Sequence, residues 1–204
     1  MNPNPLTLLW EGFEIQSYQQ ISSDSLVIQL QPSPNRQYHC RHCLQSAYQM
    51  HDRSIRRIRE RDIGPFKVWL DVPVARVACS RCGPRTERIS WLPDRLRMTR
   101  SFMLWIEVLV QKMPVAHVAR LTGVHWHTVK AIDYQRLKRE QREPDRQGLK
   151  RLIMDEFALF KGHRYATVVV NADNQQLLWV GEGRSRAAVR PFFEWLGVEA
   201  CEQI

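Results

Sequence analysis

Read only for apolar and polar positions, the chain changes character twice, once near residue 100 and again near residue 150. Its first hundred residues carry short extended patterns. Ser25-Leu-Val-Ile-Gln-Leu30 is a brief apolar strand closed by a Pro32-Ser-Pro34 turn, and residues 1–36 read as a small β element. Phe66-Lys-Val-Trp-Leu-Asp-Val72 has the aromatic and β-branched content of a strand, and Val74 to Ala78 continues the extended pattern. Before the Gly64-Pro65 turn, Arg53-Ser-Ile-Arg-Arg-Ile-Arg-Glu-Arg61 is ambiguous in period and fits a solvated basic strand or a hairpin arm.

The middle of the chain is helical in pattern. Residues 101–113 form an apolar helix with Ser101 or Thr99 as N-cap and Pro114 as its stop, and two further helices follow to about Leu137. A charged connector from Lys138 to Gly148 ends in Pro and Gly signals. Beyond it Leu152-Ile-Met154 runs into Asp155. Tyr165 to Val170 and Leu177 to Val180 are strands flanking a turn at 171–174, which predicts a three-strand antiparallel meander. Ser185 caps a helix that runs to Trp195 and that Pro191 should kink or restart. The predicted class is α+β, with parts at 1–98, 99–148 and 149–204.

Composition narrows the function. Hydrophobic residues make up 44% and charged residues 25%, which is a globular balance. No apolar run is long enough to span a bilayer and no signal pattern opens the chain, so the expectation is a soluble, cytoplasmic protein without a membrane partner. The net charge of +9 is uneven. Residues 1–150 hold 24 Lys+Arg against 14 Asp+Glu, whereas residues 151–204 hold 6 against 7. An Arg-rich excess confined to one part of a chain is either a well-solvated basic surface or the footprint of a polyanion partner, and Arg suits bidentate phosphate contacts.

Four of the five cysteines fall in two pairs, Cys40 with Cys43 and Cys79 with Cys82. Two residues between thiolates let one tight turn aim both sulfurs at one ion, and two such knuckles complete a tetrahedral site. In a cytosolic chain this spacing indicates metal rather than disulfides. Four thiolates leave zinc no open position, so the zinc is expected to be structural and a zinc hydrolase is disfavoured. His39 and His42 flank the first pair as surface residues or substitute ligands, and Cys201 stands alone.

Residues 115–134 (VAHVARLTGVHWHTVKAIDY) carry the helix-turn-helix pattern. Gly123 sits where the turn needs positive φ, Ala119 is small enough for a close crossing, and Val118, Val124, Val129 and Ile132 are spaced to bury the pair against the preceding helix. The second helix would then enter the major groove by its N-terminal half, presenting His125, Trp126, His127, Lys130 and Tyr134. Thr122 departs from the pattern, which usually has an apolar residue there. Arg53, Arg56 and Arg57 are candidate phosphate contacts.

Asp155, at the end of an apolar strand, is by itself either a turn or cap residue or the first ligand of a two-metal site. Such a site needs at least three converging carboxylates and two Mg²⁺ ions about 4 Å apart.

Taken together, a four-cysteine ribbon, a helix-turn-helix and the stretch from Asp155 to Gly197 resemble bacterial insertion-sequence transposases of the ISL-three type. Asp155-Glu-Phe, Lys161-Gly-His-Arg-Tyr165 and Glu182-Gly-Arg184-Ser185 carry the closest match. The resemblance implies a DDE transposase that binds the element's terminal inverted repeats in double-stranded DNA and cuts and joins strands with Mg²⁺, starting with a ribonuclease-H-like domain in which Asp155 is the first catalytic acid. It also implies a second Asp on a fourth strand and a Glu on a later helix. The chain stops about where that strand should begin, and Asp173, Glu156, Glu194, Glu199 and Glu202 do not fit those roles. The expectation is a truncated copy that binds DNA and does not transfer strands by itself. A zinc-dependent DNA-binding regulator of transposition and a non-functional remnant are the alternatives. Such transposases commonly act as dimers or higher assemblies, so a homo-oligomer is allowed, although no sequence feature marks an interface.

Overall fold

The structure, a computed structural model, describes residues 9–204 apart from 48, 95, 142 and 163. Position 163 of the Lys161–Tyr165 motif, residues 1–8 of the predicted β element and position 142 of the connector therefore lie outside the described residues. The elements fall into two compact units, Met1–Arg139 and Glu140–Ile204.

The first unit is built on a five-stranded sheet. β1 (Phe13–Ser22) and β2 (Ser25–Pro32) form an antiparallel hairpin. The two-residue strands β3 (Tyr38–His39) and β4 (Ser46–Ala47) pair with each other, and β5 (Met50–Ile63) and β6 (Phe66–Cys79) make a long hairpin. β7 (Gly83–Thr86) adds to the end of β6, and the sheet order is β1-β2-β6-β5. β2 joins β6 in parallel over Lys67–Asp71, and β7 covers Arg76–Cys79. Pro73 lies in the gap between these two partners, which is how a central strand tolerates a residue without an N–H. Alternating Val68, Leu70, Val72 and Val74 form one buried row, covered by Trp10, Phe13, Ile89 and Trp91.

Three helices complete this unit: α1 (Arg100–Val110), α2 (Val115–Thr122) and α3 (Trp126–Glu140). Thr99 is the N-cap of α1, accepting from the Phe102 N–H at 3.2 Å, so the cap is Thr99 rather than Ser101. The same hydroxyl donates to Glu60 on β5 at 2.8 Å, and Glu60 also accepts from the Trp10 indole at 2.9 Å and the Arg61 N–H at 2.7 Å. A buried carboxylate with three donors thus joins the sheet to the first helix. The Arg59 guanidinium lies 4.8 Å from the Phe102 ring centroid and reinforces this joint.

The second unit holds an antiparallel meander, β8 (Leu152–Phe160), β9 (Arg164–Asn171) and β10 (Leu177–Glu182), in the order β10-β9-β8. α4 (Arg186–Leu196) packs Phe192 and Leu196 against Val169 and Leu178, and α5 (Val198–Cys201) follows. Ser185 caps α4, accepting from the Ala188 N–H at 3.2 Å. The helix does not restart at Pro191, and α4 is continuous through it. The ring removes one backbone hydrogen bond, and the burial of Phe192 and Leu196 on either side of the next turn holds the helix together. Among the described residues no helix is long and apolar enough to cross a membrane.

Candidate functional site

The four paired cysteines come together. Their sulfurs all lie within 4.8 Å of one another, and the Cys43 and Cys79 sulfurs are 3.5 Å apart. Tetrahedral zinc with sulfur at its usual distance sets ligand sulfurs about 3.8 Å apart, so the donor set fits that ion. Each knuckle joins two strands: Cys40 and Cys43 lie between β3 and β4, while Cys79 ends β6 and Cys82 directly precedes β7. Backbone pairing of residues 39–41 with 86–88 ties the knuckles together, through Arg41 N–H to Thr86 at 3.1 Å and Arg88 N–H to His39 at 2.8 Å. The Cys82 backbone N–H, and less so that of Arg81, is aimed at the Cys79 sulfur and holds its thiol down to about 7. Burial, then the neighbouring thiols, pushes Cys82 up. Four thiols packed this closely cannot all ionise alone, and a divalent cation removes that conflict. His42 stands outside the set with Nδ1 3.6 Å from the Cys82 sulfur, where it can donate to a thiolate.

The knuckles show one asymmetry. The residue after the second cysteine is left-handed in both, Gly83 at φ 70° and Leu44 at φ 63°. A side chain there costs about 1–2 kcal/mol, offset in part by the roughly 0.5–1 kcal/mol of extra chain entropy that glycine loses. Leu44 is 53% exposed and contributes little burial in return. Leu44→Gly should therefore raise the stability of the zinc-loaded protein by up to about 1 kcal/mol, read as an increase in thermal midpoint. A lower midpoint would mean that the leucine side chain is needed.

The helical segment has the predicted geometry. Met98, Phe102, Ile106 and Leu109 pack with Val118, Val129 and Ile132. Gly123 takes φ 67° at the turn. Thr122, the departure from pattern, is buried because its hydroxyl donates to the Val118 carbonyl at 2.7 Å and so carries no unsatisfied group. At the far end of α3, Arg139 reaches Glu107 of α1 at 2.8 and 2.9 Å, which fixes the angle of the helix. His125, Trp126, His127, Lys130 and Tyr134 are all exposed. Their rings are ordered by one another: His125 stacks on His127 at 5.3 Å, Trp126 meets His127 edge-on at 5.0 Å, and the Lys130 ammonium lies 5.2 Å from the Trp126 centroid.

The three candidate arginines of β5 are exposed but do not share a face. Strand alternation puts Arg56 with Ile58 and Val72 on the face of the buried row, and Arg53 and Arg57 on the other. Arg57 is held by two 2.8 Å hydrogen bonds to Asp71, and Arg53 points to the Tyr38 hydroxyl at 3.4 Å.

Asp155 lies in the middle of β8, opposite Val168, and not at a strand end as the sequence suggested. The strand continues because Phe157 to Phe160 pair with β9 in the hairpin. Asp155 shares its sheet face with exposed Ile153 and Phe157, and its carboxylate accepts from the Glu156 N–H at 2.7 Å. Among the described residues no group of three or more metal-binding side chains includes it, so these residues do not build a two-ion magnesium site. Sequence reasoning missed Glu60 and the Arg36–Glu87 pair, because their partners are 39 to 51 residues away and no local pattern marks them.

Comparisons with known proteins agree with this geometry. Residues 87–137 match the helix-turn-helix domain of transposase family ISL3, and residues 152–204 match the DDE transposase model of the same family. Over 198 residues, 96% of its length, the chain is 40% identical to the transposase for insertion sequence element IS1001 of Bordetella parapertussis, and covers 48% of that protein. Over 154 residues it is 32% identical to the transposase for insertion sequence element IS1557 of Mycobacterium tuberculosis, and covers 34% of it. The chain thus spans about half the length of the first relative and about a third of the second. No solved structure matches. On the two matched regions and on the IS1001 relative, whose 198-residue alignment spans both, the chain belongs to the ISL3 family of transposases.

Proposed function

We propose that this chain is the DNA-binding part of an insertion-sequence transposase, with α3 reading the terminal inverted repeats of its element in double-stranded DNA. The observation that carries this is the exposed N-terminal half of α3, braced by the Gly123 turn and the Glu107–Arg139 pair within a matched helix-turn-helix. His125, Trp126, His127 and Lys130 are the base- and phosphate-facing residues. Arg53 and Arg56 add phosphate contacts from opposite faces of β5, and Arg57 would join them only by leaving Asp71. The four cysteines hold a structural zinc that forms a ribbon-like N-terminal module. Divided by role, residues 1–98 are the zinc module, 99–148 the DNA reader with its linker, and 149–204 the start of a ribonuclease-H-like domain in which Asp155 is the first of the family's catalytic acids.

The test is a mobility-shift titration with duplexes carrying the inverted repeats that flank the element's own coding sequence. Selective binding that weakens by about 1–3 kcal/mol for each of His127→Ala and Lys130→Ala is the expected result. Equal binding to scrambled duplexes would sink the assignment. A second reading is a regulator that occupies element ends without cutting them. Selective binding without Mg²⁺-dependent nicking would support it.

A further inference from the structure

We infer that a groove in the first unit, sharing no residue with α3, holds the sugar-phosphate backbone of duplex DNA. The inference rests on the reading of the chain as a DNA binder. The groove, of about 820 Å³, lies between the edge strand β5 and the segment 86–100 that leads into α1. Among the described residues Arg41, Arg56, Arg57, Arg88, Arg97 and Arg100 line it, against two carboxylates, Glu87 and Asp94.

Those carboxylates are already answered. Glu87 is buried and paired with Arg36, which is not a lining residue, and Asp94 is 2.7 Å from Arg41. Arg57 is occupied by Asp71. That leaves Arg56, Arg88, Arg97 and Arg100, all exposed, with no hydrogen bond or ion pair from their guanidinium groups among the described residues. Four like charges around one open space repel one another, and a polyanion laid along them removes that repulsion while releasing its own counterions.

Two features favour nucleic acid over an acidic peptide. Every cation lining the groove among the described residues is arginine, whose planar fork matches the oxygens of a phosphate. The groove wall is also continuous with the DNA-reading body. Arg100 opens α1, Met103 of α1 lines the groove, and the family's helix-turn-helix match begins at residue 87, so it includes Arg88, Arg97 and Arg100. Contacts of this kind set affinity and register without reading bases, which α3 would do.

The test uses the full zinc-loaded chain and the variant Arg88→Gln/Arg97→Gln/Arg100→Gln. Its changes are all at exposed side chains, and its fold is checked by circular dichroism and zinc content. Binding to a mixed-sequence DNA duplex is followed by anisotropy over a series of salt concentrations. The slope of log K against log salt should become shallower by about 2.7, at about 0.9 for each lost phosphate contact. The loss should be the same on mixed and on selected sequences. An unchanged slope with selective binding intact would overturn the groove and leave the α3 reading standing. A polyglutamate peptide that binds the wild type in preference to duplex, and needs the three arginines to do so, would overturn it in favour of an acidic partner. If no duplex binds the wild type at all, both readings fall.

Discussion

Replacing Cys79 with serine should abolish metal uptake and unfold the knuckle end of the first unit. The strands there are short, with β3 and β4 two residues each and β7 four. The cluster beneath them consists of Ala47, Ala75, Val77 and the cysteines themselves, with half-buried Tyr38 packed against it. Burial of this size stabilises by only a few kcal/mol at about 25 cal/mol per Å². A structural zinc contributes on the order of 10–16 kcal/mol of apparent binding energy at neutral pH, comparable to or greater than the roughly 5–15 kcal/mol of a whole domain. Metal therefore decides whether this end folds. The check is zinc content by mass spectrometry together with the thiolate-to-cobalt absorption of the cobalt-substituted protein. One zinc per chain is expected in the wild type and none in the variant. Because the ligands bind as thiolates, protons compete with the metal, and retention should fall as pH is lowered. Undiminished zinc and an unchanged melting curve in Cys79→Ser would refute this account of the site.

The second large effect is expected at Arg36. Its side chain is 7% exposed and paired with Glu87, whose side chain is 0% exposed. The guanidinium also lies 4.1 Å from the Phe13 ring centroid and 4.9 Å from that of Tyr38. Glu87 in turn accepts from the Ala75 N–H at 2.6 Å, so the pair links the N-terminal hairpin, the first knuckle and β6. Gly12 leaves room for it, since a Cβ there would stand 3.0 Å from two Arg36 atoms. Arg36→Met keeps the apolar stem and strands a buried carboxylate, which costs about 3–5 kcal/mol. Adding Glu87→Gln removes the charge and preserves an acceptor for Ala75, so the double variant should recover most of the loss. Urea unfolding of the zinc-loaded protein measures both. A single variant within about 1 kcal/mol of wild type, where an exposed ion pair would fall, would show that the carboxylate is not desolvated as described.

What the amino-acid order revealed depended on how local each signal was. The cysteine spacing, the Gly123 turn and the strong apolar runs of β6 and β9 are written within a few residues, and each corresponds to an observed feature. β1 was legible only as part of a β element over residues 1–36 and not as a strand of its own, because after Phe13 and Ile15 it is mostly polar and exposed. The middle position of Asp155 was hidden for a related reason. Its strand continues through exposed Phe157 into a hairpin, so the apolar run before it ends without the strand ending. The division of Arg53, Arg56 and Arg57 between two faces could be seen only once the period of the basic stretch was known to be that of a strand. The arginine groove is assembled from residues 41 to 100, and its charge excess depends on which carboxylates are already paired, which only tertiary structure shows.

Sequence reading by α3 is tested by selection from a library of random DNA duplexes with the zinc-loaded chain, with His127→Ala/Lys130→Ala and chelator-treated protein in parallel. One enriched motif that recurs at the ends of the element is expected, with enrichment lost in the α3 variant and after zinc removal. A library that emerges unenriched, or a motif that survives both treatments, would contradict sequence reading by α3.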